Sequence, residues 1–206
     1  TRIVLVDRLM IPADILINGY LNGIFPMADD ASGEIYWYSP DPRAIIPIYS
    51  YKCQKSLRSV INKKVFEIKI DSDFEAVIRS CSKERFEGDG VWISEDIVAS
   101  YLNLHKLGFA HSVEAYFEGK LAGGLYGVAL GSVFYGESMF FNIPNASKVA
   151  FHYLIEILKF NNFQLLDTQF INDNVKRFGA IEIPRRRFQM LLKDALKIET
   201  SFILPE

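Results

Sequence analysis

Cysteine is nearly absent from this sequence of 206 residues: Cys53 and Cys81 are the only two, and no CxxC pair occurs. Two widely spaced thiols make no disulfide framework, so they are expected to be reduced, in a cytoplasmic protein. No stretch approaches the ~20 apolar residues that a membrane-spanning helix needs, so no membrane association is expected. An excess of positive charge is also missing, with 23 Lys and Arg against 25 Asp and Glu. A net charge of −2 argues against a surface that grips nucleic acid along its whole length, while allowing one basic patch. There is no internal repeat and no low-complexity tract. Gly123-Gly124 followed by Gly127 is too short for a nucleotide-binding loop and falls in an expected hairpin. Of the three histidines, His105 and His111 lie six apart with no cysteine nearby, so no metal-ligand spacing appears. Ser138 sits in no GxSxG elbow. The chain begins at Thr1, and its start is a poor place to argue about targeting.

Apolar residues are what the sequence does have. They make up half of it, with 16 Phe and 10 Tyr, enough for a real core in a chain of this size. The apolar periodicity predicts a helix over residues 9–24, closed by Gly23, then an irregular stretch over 25–47 broken by Pro26, Gly33, Pro40, Pro42 and Pro47. A strand at 65–70 and a helix at 74–82 capped by Ser72 or Asp73 follow, then a helix from Ser94 to Leu107 stopped by Gly108. The centre alternates as antiparallel strands at 111–117, 120–129 and 132–136, turning at Glu118-Gly119 and Gly131. A helix at 146–160, a strand at 163–167, a short helix at 172–179, a helix at 188–197 and a strand-like tail complete the chain. This order is α+β with a mostly antiparallel sheet. A small N-terminal domain over 1–62 is expected, packed on a larger one over 63–206, with Lys63-Lys64 as the seam.

Several polar groups interrupt apolar runs. Glu137 stands inside Phe134-Tyr135-Gly136-Glu137-Ser138-Met139-Phe140-Phe141. It is either a solvent-facing residue at a strand end or an acid in an apolar pocket placed to receive a cation. Asp167 and Gln169 are two apart at the end of a strand and would share one face of an extended chain. Either they form a polar strand end, or Asp167 accepts from the Gln169 amide and frees the amide carbonyl for an amine. Asn145 stands at the start of a helix as a cap, where an anion could also bind. Arg185-Arg186-Arg187 is the one concentrated positive run, either a solvated face or a contact for an RNA backbone.

Taken in order, Gly23-Ile24-Phe25-Pro26, Tyr36-Trp37-Tyr38-Ser39-Pro40-Asp41-Pro42-Arg43-Ala44, Val91-Trp92-Ile93, Ala110-His111-Ser112-Val113-Glu114, Gly136-Glu137-Ser138-Met139-Phe140, Asn145-Ala146-Ser147-Lys148, Asp167-Thr168-Gln169 and Glu182-Ile183-Pro184-Arg185-Arg186 resemble the bacterial leucyl/phenylalanyl-tRNA–protein transferases. The resemblance runs from about residue 19 to 190. It implies an acetyltransferase-like (GNAT-like) C-terminal domain with a small N-terminal domain packed on it, acting as a monomer. It implies transfer of leucine or phenylalanine, and less readily methionine, from leucyl- or phenylalanyl-tRNA to an acceptor protein with N-terminal Lys or Arg. The product would carry an N-end-rule degradation signal, and no cofactor or metal is implied. Gln169 would engage the attacking amine, Asp167 would orient Gln169, and Glu137 would face the acceptor's basic side chain. Leu125, Phe134, Met139, Leu158 and Leu166 are candidate walls for the donor side chain, with Ser138 and Asn145 beside the substrates. Trp92 and the loop around Trp37 could stack on the terminal adenosine, and Arg185, Arg186 and Arg187 could contact the tRNA. One departure is Met27, where family members commonly carry an aromatic residue.

Overall fold

The computed structural model describes residues 2–4, 10–29, 32–83 and 92–204, with side chains from residue 10 onward. Leu9 and Val91, which belong to the first expected helix and to one of the family motifs, lie outside the described residues. The fold is mixed α+β. A small antiparallel sheet has the order β1-β3-β2, from β1 (Arg2–Val4), β2 (Phe25–Ala28) and β3 (Ile35–Tyr38). A larger sheet has seven strands. They are β4 (Arg43–Ile46), β5 (Glu67–Ile70), β6 (Ala110–Phe117), β7 (Lys120–Leu130), β8 (Val133–Phe141), β9 (Leu165–Gln169) and β10 (Ile181–Ile183), in the order β10-β4-β9-β8-β7-β6-β5. Every pair in it is antiparallel except β8 and β9.

The stretch expected to be irregular over 25–47 holds three of these strands, β2, β3 and β4. Its prolines do not prevent this. Pro26 lies in β2 at the edge of the small sheet, where a missing N–H leaves no ladder bond unmade. Pro40 and Pro42 fall between β3 and β4. The buried positions Phe25, Ala28, Ile35 and Trp37 supply the apolar face. β4 does not stay with its sequence neighbours. It pairs with β9 and β10 in the large sheet, so part of the first 62 residues helps to build that sheet.

Seven α-helices are described: α1 (Ala13–Leu21), α2 (Lys55–Asn62), α3 (Phe74–Cys81), α4 (Glu95–Lys106), α5 (Ala146–Phe160), α6 (Asp173–Arg177) and α7 (Arg185–Ala195). Sequence periodicity missed α2 and started α7 three residues late. The Asp73 and Ser94 side chains cap α3 and α4 as expected. Asn145 does not cap α5: its backbone is left-handed, with φ 73°, and its side chain makes no capping bond. The tail from 198 to 204 forms no strand; instead Phe202 stacks on His111 and Phe134.

The large sheet separates two apolar cores. On one side α5 covers Val113, Leu125, Phe134 and Leu166. On the other, α3, α4 and α1 gather around Tyr101, Tyr126, Val128 and Tyr135. Within this second core Gly19 of α1 lies so close to Trp37 that a Cβ there would come within 2.2 Å of the indole. Gly19→Ala is therefore expected to destabilise the fold by about 1–3 kcal/mol through overpacking, although alanine is the better helix former. Denaturant unfolding of the two proteins measures this; equal midpoints would show that the indole can shift without cost.

Candidate active site

Strands β8 and β9 run side by side only from Val133–Tyr135 to Leu165–Asp167. Beyond Tyr135 and Asp167 the two strands no longer pair, and a cleft opens. Both are bulged at that level. On β8, Tyr126 faces Ser138 and Gly127 faces Gly136, which leaves Glu137 as the extra residue. On β9, Ala44 faces Gln169 and Ile45 faces Asp167, which leaves Thr168 as the extra residue. A bulge re-aims side chains, and here it resets the alternation. Tyr135 belongs to the α1 side of the sheet, whereas Met139, four residues on, packs with the α5 side.

Glu137 is therefore neither at a strand end nor in solvent. It is 9% exposed and accepts hydrogen bonds from the Tyr20 hydroxyl at 2.7 Å, the Gln169 Nε2 at 2.9 Å and the Tyr101 hydroxyl at 3.4 Å. The two tyrosine hydroxyls also touch each other. Burial is the main cause that pushes the Glu137 carboxyl up to about 7, partly offset by the bonds from Tyr20 and Gln169. Burial likewise holds the Tyr20 and Tyr101 hydroxyls well above the usual range, so both remain donors at neutral pH.

Asp167 is wholly buried, and Arg43 takes it with two bonds, Nε to Oδ1 at 2.8 Å and Nη2 to Oδ2 at 2.5 Å. The third guanidinium nitrogen, Nη1, donates to the Gly23 carbonyl at 3.1 Å. The guanidinium lies over the rings of Phe25 and Phe188, at 4.7 and 4.5 Å. One side chain from β4 thus ties together the turn after α1, the end of β9 and α7. Sequence reasoning quoted Arg43 within a motif but gave it no role. The signal present was an arginine inside an otherwise apolar strand, Arg43-Ala44-Ile45-Ile46.

The expected pairing of Asp167 with the Gln169 amide takes a different form. Asp167 Oδ1 accepts the Gln169 backbone N–H at 2.9 Å, while Glu137 takes the side-chain NH₂. Gln169 has a left-handed backbone, with φ 64°, so it does not share an extended face with Asp167. A non-glycine residue in that region stores on the order of 1–3 kcal/mol of strain, and the bond from its N–H to the buried carboxylate helps to hold it.

The cleft has an internal volume of about 190 Å³. Glu137, Ser138, Thr168, Gln169, Asn172 and Asn174 are among its polar lining, and Leu125, Met139, Leu166 and Trp92 line it as well. Phe151 and Leu154 of α5 also line it; helix periodicity marks α5 as apolar but cannot tell a cleft wall from core. Met27 stands there too. Phe134 and Leu158 do not reach the cleft: both are wholly buried among core residues. Trp37 is buried against Gly19 and lines no part of it. Asn145 also lies outside it. Arg185 is held by the turn before β4, its backbone N–H donating to Asp41 and its Nη1 donating to the Ser39 carbonyl at 3.1 Å. Arg186 and Arg187 are exposed. Among the described residues no His, Cys, Asp and Glu gather as a metal site. His105 stacks on Phe74, and His111 pairs with Asp71 at 2.7 Å.

Fold and site together describe a mixed α+β protein whose large sheet splits at the buried acids Glu137 and Asp167, with an apolar pocket beside Glu137. The family described as "Leucyl/phenylalanyl-tRNA protein transferase" matches residues 45–193, and its N-terminal domain matches residues 10–41. Proteins named leucyl/phenylalanyl-tRNA–protein transferase are similar over nearly their whole length. The one from Prosthecochloris aestuarii is 48% identical over 91% of this chain and 97% of its own. The one from Chlorobaculum tepidum is 47% identical over 94% and 100%, and that from Gloeobacter violaceus is 44% identical over 92% and 96%. Among solved structures, "The structure of L-PGS from Bacillus licheniformis" aligns with a TM-score of 0.44 at 16% identity, over 74% of this chain and 56% of that one. The chain belongs to the leucyl/phenylalanyl-tRNA–protein transferase family.

Proposed function

We propose that the protein transfers leucine or phenylalanine, and less readily methionine, from aminoacyl-tRNA to the N-terminal Lys or Arg of an acceptor protein. A peptide bond forms and the acceptor gains an N-end-rule degradation signal. One observation carries this reading: Glu137 is a buried carboxylate bonded to Gln169 at the wall of an apolar cleft. A leucine or phenylalanine side chain fits among Leu125, Met139, Phe151, Leu154 and Leu166, and the acceptor's cation meets Glu137.

The donor ester is already activated, so the reaction calls for no ATP and no cofactor. The acceptor α-amine attacks the ester carbonyl, the amide bond forms, and the ribose hydroxyl leaves with the proton that the amine gives up. The protein's share is to align the two reactants, which can be worth about 7–11 kcal/mol in favourable cases, and to orient the amine so that its proton passes to the leaving ribose oxygen. With its NH₂ committed to Glu137, the Gln169 amide has its carbonyl oxygen left for the attacking amine. Asp167 acts through the backbone of Gln169 and is a positioning residue. Trp92 at the cleft is an aromatic surface available to the terminal adenosine.

We read the fold as acetyltransferase-like, because the parallel pair of β8 and β9 diverges to make the site. We keep the two-part division of the chain at residues 62 and 63, with β4 reaching across it into the large sheet, and the protein as a cytoplasmic monomer. The deciding experiment is transfer of radiolabelled leucine or phenylalanine from charged tRNA to a peptide beginning with Arg, beside one beginning with Ala. Label on the Arg peptide alone is the expected result; label on neither, from a folded protein, overturns the reading.

A further inference from the structure

A second cavity of about 580 Å³ lies against the cleft, sharing Met139 and Asn174 as walls. Its character is opposite. Lys83, Lys148 and Arg177 line it, and none of the described lining residues is acidic. These three cations make no ion pair among the described residues, unlike Arg43, Arg79 and Lys159. α5 opens onto the cavity through Ser147 and Lys148. The amides of a first helical turn carry partial positive charge, and Asn145 makes no side-chain cap over them. Phe141 also lines the cavity and is 63% exposed, so its ring is open to a stacking partner.

We infer that this basin seats the phosphodiester backbone of the donor's single-stranded 3′ end, with a base stacked on Phe141. The inference rests on the aminoacyl-tRNA reading above and adds where the RNA lies. Unpaired cations beside an exposed aromatic ring are the elements by which proteins hold single-stranded nucleic acid. Charge sorts the two substrates. An acceptor that begins with Lys or Arg is repelled from the basin and drawn to Glu137, while a polyanion is drawn the other way. Met139 stands between, where an aminoacyl group in the cleft meets its nucleotide. The Arg185-Arg186-Arg187 run is the weaker candidate, since Arg185 is already held by Asp41 and Ser39.

The test is direct binding of uncharged tRNA to the full chain across a series of salt concentrations. It compares wild type, the triple variant Lys83→Ala/Lys148→Ala/Arg177→Ala, and Arg186→Ala/Arg187→Ala. Each lost phosphate contact on a single strand lowers the log–log salt slope by about 0.7. The basin variant is expected to bind at least 10-fold more weakly, with a slope shallower by about 2. Transfer then separates this inference from the reading it rests on. In the basin variant, kcat/KM for charged tRNA should fall by 10-fold or more relative to that for a phosphate-free 3′-aminoacyl-adenosine. If wild type transfers from neither donor, the transfer reading fails, while the salt slopes still decide the basin. If slope and affinity in the basin variant equal those of wild type, or change only in the Arg186 and Arg187 variant, the basin is not the RNA site.

Discussion

Arg43→Ala is expected to lower the unfolding free energy by about 3–5 kcal/mol, the cost of stranding a buried charge. Asp167 is wholly buried, and both of its oxygens are bonded to this one guanidinium. Removing the arginine leaves the carboxylate with the Gln169 N–H as its remaining partner. The Gly23 carbonyl and the rings of Phe25 and Phe188 lose their contact as well. Urea unfolding of the two proteins at pH 7 measures the loss. The double variant Arg43→Met/Asp167→Leu keeps the volume without the charges, and is expected to recover most of the stability. It should not recover transfer, because the left-handed turn at Gln169 would have lost the acceptor of its N–H. A loss below about 1 kcal/mol in Arg43→Ala would show that water reaches Asp167 and that the pair is not a structural centre.

The second large effect is on selectivity. Glu137→Gln keeps the shape of the side chain and removes its charge, so kcat/KM for acceptors beginning with Lys or Arg is expected to fall about 10–100-fold. A hydrogen bond to a charged group is worth about 1.5–3 kcal/mol. The loss should lie mainly in the acceptor's KM, and an acceptor beginning with Ala should be hardly affected. Equal preference of the wild type for basic and neutral acceptors would remove this role from Glu137. The same variant tests the titration of the group. Burial raises the folded-state value to about 7 from the ordinary 4.5, so Glu137 is protonated in both states below pH 4.5. The stability tied to its protonated form is lost as pH rises through 7, to the extent of about 3 kcal/mol at about 1.4 kcal/mol per pH unit. Glu137→Gln has no such titration. Its melting temperature relative to wild type is thus expected to be higher at pH 8 than at pH 5. Transfer to basic acceptors should weaken in wild type below pH 7, as the carboxylate that holds the cation takes up a proton. A stability difference independent of pH would mean that the carboxyl titrates as it does in water.

Local pattern carried a large part of this protein. The helices α1, α3, α4 and α5 follow from the spacing of their apolar residues, and the hairpins of β6, β7 and β8 from alternation broken at Glu118-Gly119 and Gly131. The α+β class came with the order of those elements, and the quoted motifs named Glu137, Asp167 and Gln169. These features are legible because each depends on residues a few positions apart. What tertiary structure decided is where distant segments meet. A one-residue bulge inverts the facing of everything after Glu137, and alternation cannot show it. β4 leaves its neighbours for the large sheet because Arg43 finds its carboxylate 124 positions along the chain. Whether Leu154 or Leu158 lines the cleft depends on which turn of α5 lies over the gap between β8 and β9; both are equally apolar. Trp37 looked free for a ligand until Gly19 of α1 was packed against it. The amide of Gln169 answers to Glu137 and not to Asp167, because diverging strands place the first carboxylate across the cleft while the left-handed turn carries the side chain away from the second. Sequence settles which groups are present and how each stretch prefers to fold; burial, pairing and charge are properties of neighbours, and only the folded chain supplies those.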